Sequence, residues 1–208
     1  RNMNILKKLT DINNPDSFTT KVRQENFKIF KSLVSLYEKP VKILDFGGTQ
    51  EYWKMMKYTD PNLIQVTLIN LDDIKITLPN FTFIKMNVLD IKNIDCDIIF
   101  SHSLIEHLGD KEKFAKIIKD YRKSYFIQTP NKNFPIEPHF MMPLFQFFPN
   151  WLKFWCTKIF RKELLPEVES INLLSKDDLK RLFPDSTISG SKILGLIQSF
   201  VVTKQNEF

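Results

Sequence analysis

Five short segments of this chain gather polar residues that could do chemistry, and each stands at the end of an apolar run. They are Asp45–Gly48 after "VKIL", Asp72 after "LIQVTLINL", Asn87–Asp90 after "FTFIKM", Ser101–His107 after "DIIF", and Thr129–His139 after "SYFI". In the first, Gly47 and Gly48 form a loop in which missing side chains let a ligand approach backbone N–H groups. Asp45 beside them could orient that loop or accept a hydrogen bond from an ammonium group. The G-x-G-x-x-G fingerprint is absent, so the glycine pair alone describes a plain strand-to-helix turn equally well. Asp72 adds to it, because a carboxylate ending the next strand is placed to accept hydrogen bonds from ribose hydroxyls. Asp73 is the alternative for that role, and two solvated loop acids are the structural alternative to both.

All three histidines, His102, His107 and His139, follow the fourth and fifth apolar runs. An imidazole near its ordinary pKa can take a proton from an acceptor hydroxyl. His139, in "IEPH", is the preferred general base, with Glu137 orienting the ring or binding the acceptor. A loop-bracing histidine is the competing role there, and "EH" at 106–107 suits packing and capping. These residues do not show a recognised metal-ligand spacing, so no metal is expected.

The elements that must position these groups can be read from periodicity. Phe27, Phe30, Val34 and Tyr37 recur at helical spacing, which predicts a helix over 20–38 ended by "EKP". Strands are expected at 41–46, 63–72, 81–90, 97–103 and 124–130, with a short helix after Gly48. A helix over 111–121 carries Phe114, Ile117, Ile118 and Tyr121 on one face. Ser175 and Asp178 form a capping-box pattern opening a helix through Leu179, Leu182 and Phe183. Residues 186–204 read as a closing hairpin. This order argues for an α/β protein whose sheet is covered on both faces and binds ligands at the carboxyl ends of its strands. The five polar segments all fall on that edge.

With 208 residues the chain suits one domain, with 1–24 as an N-terminal extension and 131–170 as an insertion. Hydrophobic residues at 43% and charged residues at 26% are globular composition. The two cysteines, Cys96 and Cys156, belong to no C-x-x-C pattern, which fits a reducing cytoplasmic setting. A net charge of +6 spread along the chain reads as a lysine-rich surface and not as a polyanion groove. No nucleic-acid partner is therefore expected.

The motifs together resemble those of the class I S-adenosylmethionine-dependent methyltransferases, over roughly residues 25–204. "ILDFGGTQEYW" is similar to their first motif, "LINLD" to their second-strand acid, "FIKMNVLDI" to their third-strand motif and "CDIIFSHSLIEHL" to their fourth-strand segment. "YFIQTPNKNFPIEPHF" resembles a fifth-strand continuation found in a bacterial-type subgroup acting on surface glycans or small molecules. The resemblance implies a Rossmann-like, mostly parallel seven-stranded sheet with an aromatic-rich insertion after strand 5. It implies S-adenosylmethionine as cofactor, S-adenosylhomocysteine as product, and O-methylation of a sugar, glycolipid or other small molecule. Asp45, Gly47 and Gly48 would line the methionine part and Asp72 the ribose hydroxyls. Asn87 and Val88 would border adenine, with Ser101 and His102 near the sulfonium and its methyl group. Thr49 stands where many relatives carry another glycine, and Asn87 where an adenine-binding aspartate is common. A non-catalytic binding module and a nucleic-acid methyltransferase are the alternatives, although "TPNKNFP" lacks the Asn-Pro-Pro-aromatic motif of base-amino methylation.

One segment stands apart. Between 140 and 162, phenylalanines, tryptophans and methionines crowd together, flanked by Lys153, Lys158, Arg161 and Lys162. Aromatics capping the core are the first expectation. An acceptor lid with peripheral membrane contact, or a homodimer surface, are the others.

Overall fold

The computed structural model describes residues 18–137, 140, 142–168, 170–193 and 195–206. The main elements in chain order are α1 (Phe18–Val34), β1 (Val41–Phe46), α2 (Gln50–Met55), β2 (Ile64–Asn70), β3 (Phe81–Lys85), β4 (Ile98–His102), α3 (Lys111–Asp120), β5 (Ser124–Pro130), α4 (Asn150–Phe160), α5 (Lys176–Leu182), β6 (Thr187–Ser189) and β7 (Ser199–Lys204). The strands form one seven-stranded sheet in the order β3-β2-β1-β4-β5-β7-β6. All neighbouring pairs are parallel except those made by β7, which runs antiparallel to both β5 and β6. The strand order reverses between β1 and β4, and in open sheets a crevice opens at such a switch point.

Alternation along the strands sorts side chains onto two covered faces. Ile43, Ile98, Phe100 and Phe126 pack with Phe27 and Phe30 of α1 and Trp53 of α2. On the opposite face Leu44, Phe46, Ile99 and Ile127 pack with Phe114 and Ile118 of α3 and Leu179 of α5. The first face is held by rings, with Phe100 and Phe126 stacked 5.2 Å apart and Phe30 set edge-on to Phe100 at 4.9 Å. Each fully buried phenylalanine removes enough apolar surface from water to contribute about 2–3 kcal/mol. α1 is also pinned by a polar clasp: Asn26, fully buried, donates to Ser199 Oγ and accepts from the Ser191 N–H and hydroxyl.

The structure moves several expected boundaries. α1 covers Phe18–Val34, so residues 18–24 are helical. It ends at Val34, after which the Leu36 and Tyr37 N–H groups bond three residues back instead of four, and the Tyr37 hydroxyl reaches Ser124. β2 stops at Asn70, leaving Asp72 in the following loop, and β3 stops at Lys85, after which Val88–Asp90 form a tight 3₁₀ turn. The expected capping box is present at α5, with Ser175 and Asp178 each satisfying the other's backbone N–H. Within 131–170, Phe140, Phe145, Cys156 and Val168 build a small core of their own, next to α4.

Candidate active site

β1 delivers Asp45 to the α1/α2 face, where it is fully buried. One carboxylate oxygen accepts from Trp53 Nε1 at 2.8 Å, and the other has no partner among the described residues. Burial raises the Asp45 pKa to about 7, and the Trp53 bond only partly opposes that shift. The glycines that follow have separate jobs. Gly47 takes a φ of +76°, a conformation side-chain-bearing residues rarely adopt. Gly48 leaves room for its neighbour, since a Cβ there would lie 1.8 Å from Asp45 Oδ2. Asn70, at the end of β2, donates to the carbonyls of both glycines at 3.2 Å and fixes the loop.

β4 lies beside β1 with Asp45 opposite Phe100 and Phe46 opposite Ser101. Alternation therefore sends Phe100 and His102 to the Asp45 side and Ser101 to the other. His102 packs against Tyr52 of α2 with ring centroids 4.5 Å apart. Burial, joined by the nearby Arg23 guanidinium, holds the imidazole pKa well below its ordinary value, so His102 is neutral at pH 7. The buried Tyr52 hydroxyl has no partner among the described residues, and burial pushes its pKa up. Arg23 comes from α1. Its pKa is lowered by burial, and it makes no ion pair or hydrogen bond with a described residue.

These groups line one cleft of about 460 Å³ at the carboxyl ends of β1 and β4, with Asp45, Gly47, Gly48, Tyr52, His102 and Arg23 in its wall. A buried acid with an unused oxygen, and a guanidinium without an ion pair or hydrogen bond among the described residues, suit the two ends of an α-amino-acid group. Ammonium would go to the former and carboxylate to the latter. Backbone groups of the glycine loop and the rings of Tyr52 and Phe100 complete a wall that sheds water.

The remaining sequence-predicted residues separate. Asp72 is exposed in the loop after β2, and its carboxylate makes no hydrogen bond or ion pair with a described residue. Asp73 is held by Lys85 at 2.6 Å. Both acids are exposed, and they differ only in that Asp73 carries this surface ion pair. Asn87 Oδ1 accepts from the Leu89 N–H at 2.9 Å and caps the 3₁₀ turn, and the Val88 side chain is in the core. Ser101 is fully buried and donates to the Phe46 carbonyl, tying β4 to β1 on the face away from the cleft. Glu137 lines a second, smaller cavity of about 110 Å³ with Phe140 and Phe145, and accepts from the Phe140 N–H at 2.6 Å. His139 lies outside the described residues. No described residue of 131–170 lines the main cleft.

Sequence reading did not single out Arg23, Tyr52 or Asn70. The signal for Arg23 was present: it sits four residues before Phe27, so it continues the apolar stripe of α1 with a cation. Among the described residues no group of three or more His, Cys, Asp or Glu side chains is placed to hold a metal ion.

No family model matches the chain, and no curated protein matches it by sequence. Solved structures do match it by shape. The plantazolicin methyltransferase BpumL, in complex with a monoazolic desmethylPZN analog and S-adenosylhomocysteine, superposes with a TM-score of 0.61 at 13% identity, over 99% of this chain and 90% of that one. The Burkholderia thailandensis 1,6-didemethyltoxoflavin-N1-methyltransferase, with its substrate and S-adenosylhomocysteine bound, gives 0.56 at 12% identity, over 97% and 84%. Human N-acetylserotonin methyltransferase in complex with S-adenosylmethionine gives 0.52 at 11% identity, over 90% and 55%. The sheet order, the cleft at its switch point and these superpositions agree: the chain has the fold of the class I S-adenosylmethionine-dependent methyltransferases.

Proposed function

We propose that this protein is an S-adenosylmethionine-dependent methyltransferase that transfers the methyl group to a hydroxyl of a sugar, glycolipid or other small molecule. The observation that carries the cofactor assignment is the buried, half-unpartnered carboxylate of Asp45 folded over Gly48 in the cleft wall. Asp45 would accept from the ammonium of the methionine part, Arg23 would hold its carboxylate, and Asp72 would accept from the ribose hydroxyls. The sulfonium, when bound, supplies an activated methyl group, so no covalent catalysis is asked of the protein.

What the chain must add is alignment, exclusion of water and a place for the acceptor's proton. Tyr52 and Phe100 wall the cleft with rings. His102, uncharged at neutral pH, can take a hydroxyl proton on its unprotonated nitrogen, a role sequence reading gave first to His139. A neutral imidazole in an apolar wall supports oxygen methylation, and the resemblance of "YFIQTPNKNFPIEPHF" to enzymes of surface-glycan or small-molecule pathways supports a sugar, glycolipid or other small-molecule acceptor.

Titration calorimetry with S-adenosylhomocysteine tests the cofactor reading, with saturable heat expected for the wild type and a loss of about tenfold or more in affinity for Arg23→Ala. The absence of heat would leave a non-catalytic module with the same fold. For the base, His102→Gln is expected to keep cofactor affinity and lose about 10²-fold or more in turnover. Unchanged turnover would remove His102 from that role and return it to His139.

A further inference from the structure

α4 is amphipathic the wrong way round. Its inward face carries Cys156 and Thr157, both buried. The stripe that a surface helix normally fills with charge holds Trp151, Trp155 and Ile159, at i, i+4 and i+8. Trp151 is 71% exposed, Trp155 58% and the terminal Phe160 63%. Phe147 and Leu144, in the turn leading into the helix, are also more than half exposed. Folding has thus placed six large apolar side chains, each more than half exposed, in water on one helix and its approach. A soluble surface without an apolar partner does not ordinarily leave so much contiguous apolar area exposed.

Charge says what covers it. From residue 138 to residue 162 the sequence contains no acidic residue, while Lys153, Lys158, Arg161 and Lys162 punctuate it. Lys158 and Lys162 make no ion pair with a described residue. Tryptophans lying on a helix face, with lysines at its sides and end, match the headgroup layer of a bilayer, where indole rings sit at the boundary and lysines meet anionic phosphates. No described helix is long and apolar enough to cross a membrane, so the contact lies in the interface plane. A second copy of this chain would bring the same cations face to face across a two-fold interface, which argues against self-association.

We propose that α4 and the turn before it seat the protein on an anionic membrane surface. This stands apart from the methyl-transfer reading and is tested without an activity assay. The chain has three tryptophans, and Trp53 is fully buried with its indole N–H bonded to Asp45, so a change in emission on docking reports Trp151 and Trp155. The full chain is mixed with vesicles of phosphatidylcholine alone or of phosphatidylcholine with phosphatidylglycerol, and pelleting and tryptophan emission are followed.

Pelleting with the anionic vesicles, with blue-shifted emission and weakening as salt rises, is the expected result. Trp151→Ser with Trp155→Ser is expected to lower the partition constant about tenfold or more. Lys158→Glu with Lys162→Glu should lower it comparably and leave thermal unfolding unchanged, since all four side chains project into solvent. Absence of pelleting, equal binding to neutral vesicles, or a doubled mass in light scattering abolished by the tryptophan substitutions would each overturn the proposal.

Discussion

Asp45→Asn should make the protein more stable and a poorer binder, and the pH dependence of both effects follows from one buried carboxyl. In the unfolded chain an aspartate titrates near ~3.9. In the fold burial raises Asp45 to about 7. Below about pH 4 both states hold the proton and the group contributes no difference. Between about 4 and 7 the unfolded chain has released its proton while the fold retains it, so stability falls by about 1.4 kcal/mol per pH unit. Above about 7 the loss is complete, at up to ~4 kcal/mol as an upper bound. Asparagine cannot ionise and its side-chain oxygen can still accept from Trp53 Nε1, so the substitution removes the loss. Scanning calorimetry should therefore show Asp45→Asn melting near the wild type at pH 4 and about 10 °C above it at pH 8. Cofactor binding should move the opposite way. An ammonium needs the ionised carboxylate, so wild-type affinity for S-adenosylhomocysteine should rise by up to about tenfold per unit as pH approaches 7 and then level off. The variant should bind weakly with little pH dependence from this site. A variant no more stable than wild type at pH 8, or a stability gain independent of pH, would refute the titration of Asp45 over this range.

Four further substitutions separate the roles of individual residues. Gly48→Ala should leave the sheet folded but displace the Asp45 carboxylate, and calorimetric affinity for S-adenosylhomocysteine should drop by about tenfold or more. Asp72→Asn should weaken the same binding by about tenfold, while Asp73→Asn, which breaks only an exposed pair with Lys85, should change it less than about twofold. Ser175→Ala dismantles the α5 capping box and should cost about 1 kcal/mol in denaturant unfolding without altering cofactor affinity.

The fold was legible because its signals are local. "VKILDF", "LIQVTLIN" and "SYFIQTP" are apolar runs of strand length bounded by turn residues, and their succession admits few arrangements. Their carboxyl-end residues therefore mark the site edge. The wall of the cleft was less legible, since it depends on which face each residue takes and on a helix from elsewhere in the chain. Ser101 and His102 are adjacent, and the family resemblance puts both near the reacting group. Strand alternation turns them to opposite faces, and Phe100, committed to the α1/α2 core, puts His102 on the cleft side. From sequence Glu137 orients the His139 ring or binds the acceptor. In the structure Ile136–Glu137 pairs antiparallel with Met142–Pro143, and one Glu137 oxygen accepts from the Phe140 N–H, a local contact that no sequence pattern announces.

Arg23 shows how the missing information is tertiary. In sequence it is one cation among many on a basic chain. Only docking of α1 through Phe27, Phe30 and the Asn26 clasp turns its face of the helix toward the ends of β1 and β4. The same docking buries Tyr52 and His102 beside it and depresses the imidazole pKa. Packing of α1 therefore sets the electrostatics of the cleft as well as its shape. A substitution that loosens that helix, such as Asn26→Ala, would leave the strand-end residues in place and still unbind the guanidinium from the site they define.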